Sequence, residues 1–367
     1  LCLRGAEDPE ATCLLMDAPT ASATLSTKAC SSLVLPNADE VGYYRYRLST
    51  DALAAITVKE LARLSPEERV GLVGNAWALV ESGEIDPATY LALVDRFGAE
   101  DQHVVWDHIV TSLRKLSRFM VTDAVRPELD KRVARLLGPP ARKLGWKNQP
   151  ADSDETKLLR KTLLAGLAEL GRDAWARDES KRLAAAWLAD PKSVSADLAE
   201  VALATAARDG DSALFDRILS RAKQAEVPEV RVMAVTALAA FDRPELVKRT
   251  LDLALDGTLK PAELRYVFPP LFERPTTVGI TFDWLKAHFG ELEKSLPTFV
   301  VGRFPWVAAG LCDRQRVAEA GRFFGGRLAH IEGADKHLAQ AVEAGNLCAA
   351  LRDRQGPAAV HALGGSS

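Results

Sequence analysis

The 367-residue chain has no run of about 18 apolar residues, so no segment is expected to cross a membrane as a helix. It also lacks an excess of one charge: 47 Lys and Arg face 50 Asp and Glu, for a net charge of −3. A surface so balanced offers no basic field for a phosphate backbone, and no nucleic-acid partner is expected. Cysteine is scarce as well. The five cysteines, Cys2, Cys13, Cys30, Cys312 and Cys348, are odd in number and show no C-x-x-C spacing, which argues against a zinc ribbon or a disulfide scaffold. Three of them lie in the first 30 residues, so a local disulfide there stays open if the protein is exported. The chain starts at Leu1 without Met, a basic n-region or an apolar h-region, and it reads as a piece excised from a longer protein. The cytoplasm is favoured as its compartment, with export left open.

Residues 1–48 read as β structure. Cys2 to Arg4, Thr12 to Met16, Leu33 to Leu35 and Val41 to Leu48 are short apolar or alternating runs broken by Pro, Gly, Asn and Asp. In the last of them Tyr44, Tyr46 and Leu48 fall on one face and Tyr43, Arg45 and Arg47 on the other. So few strands cannot bury both faces of a sheet, so the piece is expected to end a β-sandwich or to pack on the helices that follow.

From about residue 50 the apolar period becomes that of a helix. Ser65 is an N-cap, Pro66 takes the first helical position, Glu68 completes a capping box, and Val70, Val73, Trp77 and Val80 mark an apolar face. Asp86 and Pro87 open the next helix, and Trp106, Ile109, Leu113, Leu116 and Met120 stripe the one after it. Further helices are expected over 157–170, 175–189, 196–208, 212–225, 230–241, 246–255 and 262–272. Short breaks between them imply antiparallel neighbours, and the pairs recur near the roughly 40-residue period of HEAT and armadillo units. The expected fold is mainly α, an irregular α-solenoid over residues 49–367 preceded by the β segment 1–48.

Asn37, followed after a short gap by Gly42, Tyr43, Tyr44 and Arg45, resembles a motif of the aminopeptidase N and puromycin-sensitive aminopeptidase family of zinc metallopeptidases. In that family the motif lies where a small β-sandwich passes into a large C-terminal helical domain. Pro66 with Arg69, the helix that ends at Gly83, then Glu100 and Trp106, continue the resemblance, as do the stretch from Gly279 to Phe289 and the helix from Cys312 and Asp313 to Phe324. There are departures: Tyr46 and Leu48 stand where the family strand has Val and then Tyr, and Asn75 where it commonly has Asp. The resemblance runs from about residue 30 to the end, and residues 120–260 carry no signature of it. It implies a non-catalytic C-terminal domain that covers the substrate chamber and gates or binds the distal part of peptide substrates. The implied partners are the protein's own upstream catalytic domain, which would hold the zinc, and the peptide.

Hydrolysis by that family requires H-E-x-x-H with a distal Glu, the two His and the distal Glu holding zinc and the first Glu acting as general base. None of the six histidines, 103, 108, 288, 330, 337 and 361, is followed by Glu with a second His at that spacing, and Gly-x-Met-Glu-Asn is also absent. No catalytic or metal-ligating residue is therefore assigned. His103 and His108 would lie about 140° apart around a helix, and Gly333 separates His330 from His337. Within Gly302-Arg303-Phe304-Pro305-Trp306, the resemblance makes Arg303, with Phe304 beside it, the candidate for the peptide's distal end, because a guanidinium suits a terminal carboxylate. The plainer alternative is a surface charge or an ion pair between helices. Arg45 is expected to tie its strand to the neighbouring structure. A second functional reading is a free-standing α-solenoid scaffold that binds a protein or peptide in its concave groove.

Overall fold

A computed structural model of the protein describes residues 1–6, 8, 10–25 and 33–364. The chain divides into two compact units, Leu1–Gly171 with Arg354–Ser367, and Arg172–Asp353. Helices dominate both, so the fold is mainly α.

The first unit opens with a sheet of three short antiparallel strands in the order β2-β1-β3: β1 Cys2–Gly5, β2 Thr12–Cys13 and β3 Val34–Leu35. Cys2 faces Cys13 and Arg4 faces Leu35. The expected fourth strand does not form. Residues 41–48 keep the expected alternation, with Tyr44, Tyr46 and Leu48 half-buried and Tyr43, Arg45 and Arg47 exposed, but they join no ladder. A helix side chain takes the place of a strand partner: the Tyr46 N–H donates to Asn75 Oδ1 at 3.2 Å.

Seven helices follow: α1 Thr50–Ala55, α2 Val58–Leu61, α3 Pro66–Ser82, α4 Pro87–Val94, α5 His103–Phe119, α6 Arg126–Leu144 and α7 Asp154–Glu169. The Ser65 and Glu68 capping box forms as expected, and Gly83, at φ 84°, closes α3 in the left-handed conformation that glycine adopts without a Cβ clash. The stripe of Trp106, Ile109, Leu113 and Leu116 is fully buried along α5, which packs on α3 and α7. Helix α6 was not among the helices expected from the sequence, and Pro139 and Pro140 lie inside it. It runs through both prolines, which shows tertiary burial of Leu129, Val133, Leu136 and Leu137 outweighing local propensity.

The second unit contains α8 Ala174–Ala189, α9 Ala196–Arg208, α10 Ser212–Gln224, α11 Pro228–Leu238, α12 Pro244–Leu255, α13 Phe268–Glu273, α14 Pro275–Ser295, α15 Thr298–Val301, α16 Val307–Leu311, α17 Arg314–Gly325 and the start of α18 Ala334–Ala362. Consecutive pairing holds for α8 with α9 and α10 with α11, whereas α12 packs on α14 and α13 on α16. The single helix expected over 262–272 is instead a 3-10 turn, Pro261–Tyr266, followed by α13. Pro269 and Pro270 lie in the first turn of α13, where a missing N–H costs nothing. Gly310 permits the approach of α16 to α13, since a Cβ there would lie 1.7 Å from the Phe272 carbonyl oxygen.

The expectation against disulfides is corrected. Cys2 bonds to Cys13 across β1 and β2, and Cys312 at the end of α16 bonds to Cys348 on α18. Sequence spacing hides both pairs because their partners meet only through strand register and helix packing; Cys30 lies outside the described residues. Among the described residues, no helix is long and apolar enough to cross a membrane.

Candidate functional site

In the first unit the Asn37 motif builds a turn and one wall of a trench. Asn37 is buried. Its Oδ1 accepts the Gly42 N–H, and its Nδ2 donates to the Gly42 carbonyl and to Glu40 Oε2, each at 2.9 Å. The left-handed residues of this turn are Asp39 and Glu40, at φ 56° and 52°. Gly42 therefore serves by its size: a Cβ there would meet the Tyr44 ring at 2.0 Å. The Tyr44 hydroxyl donates to the Pro36 carbonyl at 2.7 Å and accepts the Cys2 N–H, which joins the motif to β1.

The turn lays the Glu40 carboxylate on α3, where a Cβ on Gly71 would fall 1.8 Å from Oε1. Burial pushes the Glu40 carboxyl above the ordinary carboxylate range, and the nearby Glu68 charge adds to this, against the opposing pull of the Asn37 hydrogen bond and Arg45. The motif, α3 and α5 enclose a trench of about 980 Å³ whose lining includes Glu40, Tyr43, Arg45, Trp77, His108 and Lys115. Tyr43 is fully exposed. Arg45 is exposed, its guanidinium lies over Gly74 of α3, and its charge acts on Glu40. Tyr46 ties the segment to α3 through its main-chain bond to Asn75, whose Nδ2 in turn donates to the Gly71 carbonyl at 2.8 Å.

Because the Glu40 carboxyl is raised, the folded state holds its proton more tightly than the unfolded chain. Its contribution to stability is present below the ordinary carboxylate pKa and is lost as pH rises through the folded value. Glu40→Gln is expected to raise Tm at pH 7, with the gain vanishing near pH 4, as read by thermal denaturation across that range. A gain that grew towards acid pH would contradict this.

Arg69 and Trp106 act together a short distance along the same unit. The Arg69 guanidinium holds Glu100 with two bonds, Nε to Oε2 at 2.7 Å and Nη2 to Oε1 at 3.1 Å, and its Nη1 donates to the Leu64 carbonyl. Glu100 Oε1 accepts the N–H groups of Asp101 and Gln102 at the head of α5, while the Trp106 indole donates to the Glu100 carbonyl at 3.0 Å. This is a latch between α3 and α5.

In the second unit the structure separates Arg303 from Phe304. Phe304 is 1% exposed and packs on Phe268, with ring centroids 4.9 Å apart, so it anchors the turn. Arg303 is exposed and makes no ion pair among the described residues. Phe299 and Trp306, 66% and 36% exposed, stand four residues before it and three after it. The backbone from α15 through Gly302 and Arg303 to α16 keeps right-handed helical angles, so these three side chains share one face. His337 Nδ1 meets the Gly302 carbonyl at 3.1 Å and braces the turn from α18. An exposed cation can pair with a carboxylate, and exposed aromatic rings on the same face can offer apolar contact beside it. Sequence reasoning missed Glu40 and the aromatic neighbours of Arg303; the spacing of 299, 303 and 306 carried the signal for the latter.

The sequence of the ERAP1-like C-terminal domain family matches residues 33–346 of this chain. "Aminopeptidase 2, mitochondrial" from Saccharomyces cerevisiae is 25% identical over 84% of the chain and 32% of its own length. "Alanine/arginine aminopeptidase" from the same yeast is 27% identical over 71% and 30%, and "Probable aminopeptidase 1" from Saccharolobus solfataricus is 24% identical over 80% and 34%. The chain spans about a third of the length of these relatives.

Proposed function

Because the chain belongs to the M1 aminopeptidase family through its ERAP1-like C-terminal domain, we propose that it is the non-catalytic C-terminal domain of a zinc aminopeptidase, covering the substrate chamber and binding the distal part of the peptide. Its own residues do not fit the metal: H-E-x-x-H is absent from the sequence, and no group of three His, Cys, Asp or Glu suited to a metal ion occurs among the described residues. Zinc and the hydrolytic step would belong to residues outside this chain.

The observation that carries the peptide-binding role is the exposed guanidinium of Arg303, unpaired among the described residues, with the exposed Phe299 and Trp306 four residues before it and three after it. An exposed cation with no internal partner retains its pairing capacity for a ligand carboxylate, and the rings offer apolar contact to the residues before it. Residues 1–48 fit the end of a β-sandwich, with residues 49–367 as an irregular helical array of HEAT-like pairs. The main-chain groups of Tyr43, Arg45 and Arg47 are unpaired among the described residues and leave an edge open to a further strand.

In the parent enzyme, Arg303→Ala is expected to lower kcat/KM for a long peptide with a free C-terminus by about tenfold, the worth of one charge-assisted bond. A short aminoacyl reporter should be unaffected, and amidation of the long peptide should abolish the difference between wild type and variant. Equal loss on long and short substrates would show that Arg303 acts on the fold rather than on the peptide.

A further inference from the structure

Both units are closed by a cystine. Cys2 and Cys13 are direct register partners on β1 and β2, and Cys13 is exposed to solvent. Cys312 and Cys348 are joined across 36 residues with Cα atoms 5.0 Å apart, within the separation that a disulfide requires. The backbone around the second pair is arranged for it. Cys312 sits at the end of α16 at φ 50°, a left-handed position that glycine or asparagine would fill more easily. Gly345, three residues before Cys348, brings α18 so close that a Cβ would lie 2.4 Å from the Ala308 carbonyl oxygen. A cysteine held in a backbone conformation unfavourable to it, beside a glycine-permitted close approach, is there for its sulfur.

We propose that the protein matures and resides in a thiol-oxidising compartment, outside a reducing cytoplasm, and that Cys312–Cys348 is a permanent staple of the second unit. The two cysteines are 3% and 7% exposed, out of reach of a redox partner once folded, which separates a structural bond from a sensing one. The Cys2–Cys13 bond is open to solvent on the Cys13 side, and the glutathione and thioredoxin pools of a reducing cytoplasm would keep such a pair as thiols. The oxidant is a thiol–disulfide oxidoreductase in its disulfide form. One cysteine thiolate attacks that disulfide, the second displaces the resulting mixed disulfide, and the oxidoreductase leaves as a dithiol carrying the two electrons and two protons removed from the pair. The proposal is independent of the aminopeptidase assignment and stands or falls separately from it.

Differential thiol trapping in the source cells tests it. Acid-quenched cells are treated with N-ethylmaleimide, then reduced and treated with its heavy isotopologue, and the cysteine peptides are weighed. Cys2, Cys13, Cys312 and Cys348 are expected to carry the heavy label; light label on Cys312 and Cys348 would overturn the proposal. As a second measurement, wild-type protein produced with its cystines intact should lose about 10 °C in Tm when unfolded in reductant, a shift set by the 36-residue loop. The same fall should appear without reductant in the paired variant Cys312→Ala, Cys348→Ser. An unchanged Tm in reductant would show that the bond does not staple the unit, whether or not the variant folds.

Discussion

Trp106→Ala is expected to destabilise the first unit by about 3–5 kcal/mol. Trp106 is fully buried on α5, among the largest side chains with no exposure at all, so truncation removes its transfer free energy and leaves a cavity that the surrounding helices can only partly close. A second loss comes from the indole N–H, which donates to the Glu100 carbonyl at 3.0 Å. Glu100 also receives Arg69 and the first N–H groups of α5, so the variant disturbs the latch between α3 and α5 as well as the core. Trp106→Phe separates the two effects, since it keeps most of the apolar volume while leaving the Glu100 carbonyl without its donor; a loss of about 1–2 kcal/mol is expected there. Urea denaturation at constant m measures both. A change below about 1 kcal/mol for the alanine variant would mean that the stripe on α5 does not hold the unit together.

That stripe was legible because helical burial writes itself into spacing. Trp106, Ile109, Leu113 and Leu116 recur at three and four residues, and the Ser65 and Glu68 capping box is a local motif that needs no tertiary partner. What sequence could not supply is set by contacts between distant residues. Helix α6 survives two internal prolines because four of its side chains are buried, a fact absent from the local sequence. Residues 41–48 show the alternation of a strand, yet whether a strand forms depends on a ladder partner, and Asn75 occupies that role. The left-handed turn at Asp39 and Glu40 is encoded by no glycine, so the carboxylate it delivers onto α3 was invisible. Asp152 pairs at 2.8 Å with the buried Arg160, a partner found only by the packing of α7. For the second unit, the family resemblance pointed to Arg303 and Phe304, but only burial could tell which of the two faces solvent.

Glu68→Ala is expected to cost about 3–5 kcal/mol, because it takes a buried carboxylate from three donor groups at once, one of them bonded to both oxygens. The side chain has no exposure, and its oxygens accept Arg4 Nη2 at 2.5 and 2.6 Å, the Asp39 N–H at 3.1 Å and the Ser65 N–H at 3.0 Å. Arg4, on β1, is itself only 12% exposed, so it would be left as a nearly buried cation without its counter-ion, keeping only the bond from Nη1 to the Asp8 carbonyl. Removing both members should cost less than the two single losses added together, by about 2 kcal/mol, which a double-mutant cycle with Arg4→Ala reads directly. The loss should also be local. Glu68 bonds β1, the turn at Asp39 and the residue before α3 together, so the variant should expose residues 1–48 to protease while the helical circular dichroism is retained. Protease resistance equal to wild type would place the attachment of the sheet elsewhere. The same carboxylate accepts the Asp39 N–H in the turn that carries Glu40, and its charge adds to the rise of the Glu40 carboxyl, so Glu68→Ala should also shrink the stabilisation that Glu40→Gln gives at pH 7 in the intact protein.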